Sequence, residues 1–74
     1  MSRGVFMKIR ELRKAKGISQ IKMAMDLNTN QNTISRYETG EREPSINDLI
    51  KIADYFNVSV DYLLGRTDNP NMQK

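Results

Sequence analysis

Five groups of apolar residues recur along the chain at helical spacing, and glycine or asparagine follows each group. Phe6, Ile9 and Leu12 lie on one side of a first helix, from about Val5 to Lys16, and Gly17 ends it. Ser19 caps a second helix that runs to Asp26 or Leu27, with Met23, Ala24 and Leu27 facing inward and Asn28 at its end. A third helix begins after Asn30, runs to about Thr39 and stops at Gly40. Only Ile34 and then Tyr37 are apolar in it. Ser45 caps a fourth, with Asp48 completing a capping-box variant, and Asn57 breaks it. Ile46, Leu49, Ile50, Ala53 and Phe56 form its predicted apolar face. Ser59 caps a short fifth helix carrying Val60, Leu63 and Leu64, closed by Gly65. No stretch alternates as a half-buried strand does. The connections are short, so the pattern predicts an all-α, compact five-helix bundle. Residues 1–65 make one domain, and residues 66–74 read as a polar, flexible tail.

Composition narrows the chemistry. The 74 residues suffice for one small core. There is no cysteine and no histidine, which removes disulfides, thiolate metal sites and the commonest general base. No metal, cofactor or catalytic residue is therefore assigned, and an enzyme is not expected. No apolar run reaches the roughly 18 residues of a membrane span. No export signal is evident, so the cytoplasm is the expected compartment.

The net charge of +3 is unevenly placed. Residues 1–22 hold Arg3, Lys8, Arg10, Arg13, Lys14, Lys16 and Lys22 against Glu11 alone. Residues 37–74 hold four bases and seven acids. One basic face meeting a polyanion fits this asymmetry, and so does an ordinary solvated lysine-rich helix.

The second and third helices stand close in sequence. Ala24 permits their close approach, and Ile34 pins the third helix while its other side projects. That arrangement is a helix-turn-helix. With "IRELRKAKGISQ" (9–20), "MAMDLN" (23–28), "NQNTISRYETG" (30–40), Pro44 and "LIKIADYFNVSVDYLLG" (49–65), the chain resembles the Cro/CI-type, or XRE-like, helix-turn-helix regulators. These include the phage repressor DNA-binding domains. It departs from them at Asn28, where glycine is usual, and at Lys22, where glutamate is common.

The resemblance implies a lambda-repressor-like domain that binds double-stranded DNA, usually as a homodimer on an inverted repeat, with the third helix in the major groove. Gln31 and Asn32 match base-reading positions, and their amides can pair with adenine N6 and N7. Thr33 offers a hydroxyl or methyl to a base. Arg36, one turn beyond Asn32, can grip guanine or a phosphate. Gln20 matches a position that bonds phosphate and buttresses the glutamine opening the recognition helix, here Gln31. Asn30 caps the helix with a phosphate within reach, Ser35 lies off the Asn32–Arg36 line towards phosphate, and Arg10 and Arg42 suit backbone contact. Arg13 and Glu38 match a structural salt bridge. The apolar C-terminal surface suits a dimer contact, and no small-molecule effector is evident. An antitoxin on the same fold, and a helical protein-interaction module without DNA binding, stay open as alternatives.

Overall fold

The computed structural model describes residues 3–66, the side chains of residues 3–7 excepted. Among these residues the regular structure is all helical, with α1 (Arg3–Ala15), α2 (Gln20–Asp26), α3 (Gln31–Thr39), α4 (Ile46–Phe56) and α5 (Val60–Leu63) joined by short turns and loops. None of these helices is long and apolar enough to cross a membrane. The expected packing of Phe6, and the tail beyond Arg66, lie outside the described residues.

Local chemistry sets the helix ends. Ser19, Asn30, Ser45 and Ser59 are extended N-caps, and each side chain accepts a hydrogen bond from the amide three residues on. At the other ends Gly17, Asn28, Gly40, Asn57 and Gly65 all take positive φ. Each donates its amide to the carbonyl three residues back, and the next residue donates to the carbonyl five back. This paired closure is a Schellman motif, which satisfies two orphan carbonyls at the end of each helix. Asn28 reaches φ 60 in the turn between α2 and α3, so the asparagine there holds the left-handed geometry without glycine.

The five helices converge on one core, and each supplies one fully buried large side chain: Ile9, Met23, Ile34, Ile52 and Leu63. Ala24, Tyr37, Ala53, Phe56 and Val58 fill in around them. Helix α3 sits between α1 and α2, while α4 and α5 pack together and against α1.

The apolar face of α4 differs from the expectation. Ile46 is 76% exposed and Ile50 46% exposed, whereas Ile52 is buried. At about 100° per residue, Leu49, Ile52, Ala53 and Phe56 form one stripe, and Ile46 and Ile50 flank it on the solvent side. In α5 only Leu63 is buried; Val60 and Tyr62 are half-buried, as is Leu64 at the C-cap. Met25, on α2, is exposed.

Candidate nucleic-acid interface

Helix α3 is fixed along one side and open along the other. Ile34, Tyr37 and Glu38 are buried against the core. The Tyr37 hydroxyl donates to Asp48 Oδ2 at 3.0 Å, tying α3 to α4. Burial, reinforced by this bond to a carboxylate, raises the Tyr37 pKa above the ordinary phenol value. With three successive inward positions fixed, the rest of the helix surface is left to solvent.

That open surface holds Gln31, Asn32, Arg36 and Thr39, all exposed, with Ser35 and Thr33 half-buried. Arg36 stands one turn beyond Asn32, and Ser35 one turn beyond Gln31. Ser35 thus falls between Gln31 and Asn32 around the helix, rather than away from them. The Thr33 hydroxyl donates to Asn30 Oδ1 at 3.0 Å, and the Thr33 amide donates to the same oxygen at 2.9 Å. The Asn30 oxygen is therefore committed to capping, and its amide nitrogen is left to donate outward. Thr39 was not singled out from the sequence, although its spacing from Ser35 and Arg36 puts it on this surface. Its hydroxyl donates to the Arg36 carbonyl at 3.2 Å.

Behind the first turn of α3 runs a line of hydrogen bonds through three helices. The Arg13 guanidinium donates through Nε to Glu38 Oε2 at 2.6 Å and through Nη2 to Glu38 Oε1 at 3.2 Å. Its Nη1 donates to the Ile18 carbonyl at 2.9 Å. Gln20 Nε2 donates to Glu38 Oε1 at 3.0 Å, and Gln31 Nε2 donates to Gln20 Oε1 at 3.2 Å. The Glu38 side chain is 4% exposed and that of Arg13 12%, so the line begins in the core and ends at the surface. No buried side-chain nitrogen or oxygen among the described residues lacks a partner.

Charge around this surface is partly committed elsewhere. Arg10, Arg36 and Arg42 are exposed. Lys22 pairs with Asp26 at 3.2 Å, one turn along α2, so part of its charge is offset locally. The Lys8 ammonium lies 4.7 Å from the Tyr62 ring centroid, linking α1 to α5. The Tyr55 hydroxyl donates to Asp26 Oδ2 at 2.6 Å. That bond, followed by Lys22, holds the Asp26 carboxyl below its usual pKa. Desolvation and the same bond push Tyr55 up to about 12.

Comparison with known proteins places this geometry. The sequence pattern named helix-turn-helix matches residues 9–63. The HTH-type transcriptional regulator ImmR of Bacillus subtilis is 38% identical over 61 residues, which is 82% of this chain and 48% of that protein. The cryptic phage CTXphi transcriptional repressor RstR of Vibrio cholerae is 39% identical over 64 residues, 81% of this chain and 57% of that protein. The chain spans about half the length of the curated relatives it matches. Among solved structures, the P22 c2 repressor in complex with synthetic operator 9T superposes with a TM-score of 0.79 at 28% identity. The match covers 85% of this chain and 96% of that one. With the family pattern running from α1 to α5, the chain belongs to the helix-turn-helix family.

Proposed function

We propose that the chain is a sequence-specific DNA-binding transcriptional regulator, acting as a repressor. It works in the cytoplasm as a homodimer and places α3 in the major groove of each half of an inverted-repeat operator. The observation that carries the reading is the two-sidedness of α3: Ile34, Tyr37 and Glu38 buried, Gln31, Asn32 and Arg36 exposed. An uncharged amide pair with an arginine one turn on suits base edges, which offer paired donors and acceptors. A protein-docking helix would instead present aromatic or aliphatic anchors there. The names of RstR and the P22 c2 repressor supply the repressor half of the reading.

In this reading Gln31, Asn32, Thr33 and Arg36 contact bases. Gln20, Asn30, Arg10 and Arg42 hold the phosphate backbone, and the α2 and α3 N-termini add partial positive charge. Two copies set their recognition helices about 34 Å apart, one turn of DNA. Selection of bound sequences from a random duplex pool tests this directly. The expected product is an inverted repeat with half-sites about ten base pairs apart. Enrichment of no sequence, together with an affinity independent of salt, is the result that would overturn it, because phosphate neutralisation releases counterions.

A further inference from the structure

We infer that Glu38 is a positioning residue for base reading: through Gln20, it fixes which way round the Gln31 side-chain amide is presented to the DNA. The inference rests on the base-reading role proposed for Gln31.

A glutamine amide on a protein surface has no inherent sense. Its oxygen accepts and its nitrogen donates, and a half-turn about the last side-chain bond exchanges them at little cost. A chain of such amides acquires a direction only from a group that cannot be reversed. Glu38 and Arg13 are that group. A guanidinium only donates and an ionised carboxylate only accepts. Arg13 grips both Glu38 oxygens, so the carboxylate cannot swing away.

The direction then passes outward one bond at a time. Glu38 Oε1 accepts, so Gln20 must turn Nε2 towards it. Gln20 is left with Oε1 facing α3, so Gln31 must turn Nε2 back towards Gln20. One proton of that nitrogen is engaged. Gln31 keeps its oxygen and a second N–H, one acceptor and one donor in a fixed order. Adenine displays the complementary order in the major groove, with N6 donating and N7 accepting. An amide held the other way would set donor against donor. The buried pair at the α1–α3 contact therefore decides the chemistry shown by the first turn of α3. Such a pair contributes little net stability over apolar residues of the same size, so packing alone is a weak reason for it.

The test compares base discrimination with plain DNA affinity. The selected operator and single-base variants of it are titrated against the full chain, alongside random duplex. Gln31→Ala first identifies the operator position whose preference depends on Gln31. Glu38→Gln keeps the shape but can bond Gln20 in either sense. It is expected to lower discrimination at that one position by about 5–10-fold, with random-duplex affinity and the other positions unchanged. Gln20→Met cuts the line at its middle while leaving Arg13 on Glu38. It should give the same positional loss on top of a uniform fall in affinity for every duplex, because Gln20 also holds a phosphate, and the ratio between bases at that position carries the test if Glu38→Gln does not fold. Full discrimination at that position in the folded variants overturns the inference while leaving base reading intact. If Gln31→Ala shifts no position, the base-reading role falls and the inference falls with it.

Discussion

Replacing Arg13 with methionine removes three hydrogen bonds at once, two to the Glu38 carboxylate and one to the Ile18 carbonyl. The larger effect is on what remains. Glu38 stays in a site where its side chain is 4% exposed, and only the Gln20 amide still reaches it. Breaking a buried pair on one side typically costs about 3–5 kcal/mol, because an uncompensated charge is left behind. At about 0.05–0.15 kcal/mol per residue, a chain of this length holds only about 4–11 kcal/mol in total. Arg13→Met is therefore expected to remove about a quarter of the stability or more. Removing both charges, as Arg13→Met with Glu38→Leu, should restore most of it or exceed the parent, because the desolvation cost disappears. Urea unfolding followed by far-ultraviolet circular dichroism measures both. With a slope of about 1 kcal/mol per molar urea, the single variant's midpoint falls by about 3 M or more, to the edge of folding. The double variant should sit near the parent. A loss under about 1 kcal/mol in the single variant, the range of exposed pairs, would refute the reasoning. The double variant also separates two roles: it is expected to fold normally and still lose the Gln31-dependent base preference.

Other outcomes follow from the same geometry. Ile52→Ala is expected to cost about 2–4 kcal/mol in urea unfolding, since Ile52 is 1% exposed at the centre of the core, whereas Ile46→Ala should change stability by no more than about 0.5 kcal/mol. Asn28→Ala places a Cβ-bearing residue without a compensating polar group at φ 60 and should lower stability by about 1–2 kcal/mol. Asn28→Gly at the same position should be neutral or better. Asp26 has a lowered pKa, so its contribution is complete above the ordinary carboxylate range and is lost as pH falls through the folded value. Asp26→Asn should therefore lower stability slightly at neutral pH and leave it unchanged at pH below the folded value, so that the acid limb of a stability–pH profile below about pH 4 flattens.

The helix boundaries were legible because single residues set them. Ser19, Asn30, Ser45 and Ser59 cap wherever a side-chain oxygen can reach the third amide on. The glycines and asparagines that follow each helix adopt the left-handed conformation that most residues resist. The core side of α4 was not legible. Ile46, Leu49, Ile50, Ile52, Ala53 and Phe56 spread over nearly half of the helix circumference, and periodicity alone does not say which edge meets the core. The packing of α4 against α5 and α1 decides it, and that is a property of the whole bundle. Of the buried line behind α3, only the Arg13–Glu38 pair and the Gln20–Gln31 contact were anticipated, and through family resemblance. The Gln20–Glu38 link joins residues 18 apart and depends on how α2 seats on α3. The Tyr55–Asp26 and Lys8–Tyr62 contacts were missed for the same reason, since each spans two helices with no fixed sequence spacing between them.

The claim on which everything else depends is that the exposed first turn of α3 reads DNA sequence. Gln31→Ala combined with Asn32→Ala, titrated against the selected operator and against random duplex at several salt concentrations, tests it most directly. The account predicts that operator affinity falls by about 10–100-fold, while random-duplex affinity and the salt slope stay as in the parent, because the phosphate-holding residues are untouched. An equal fall on both duplexes, or no fall on the operator, would contradict it.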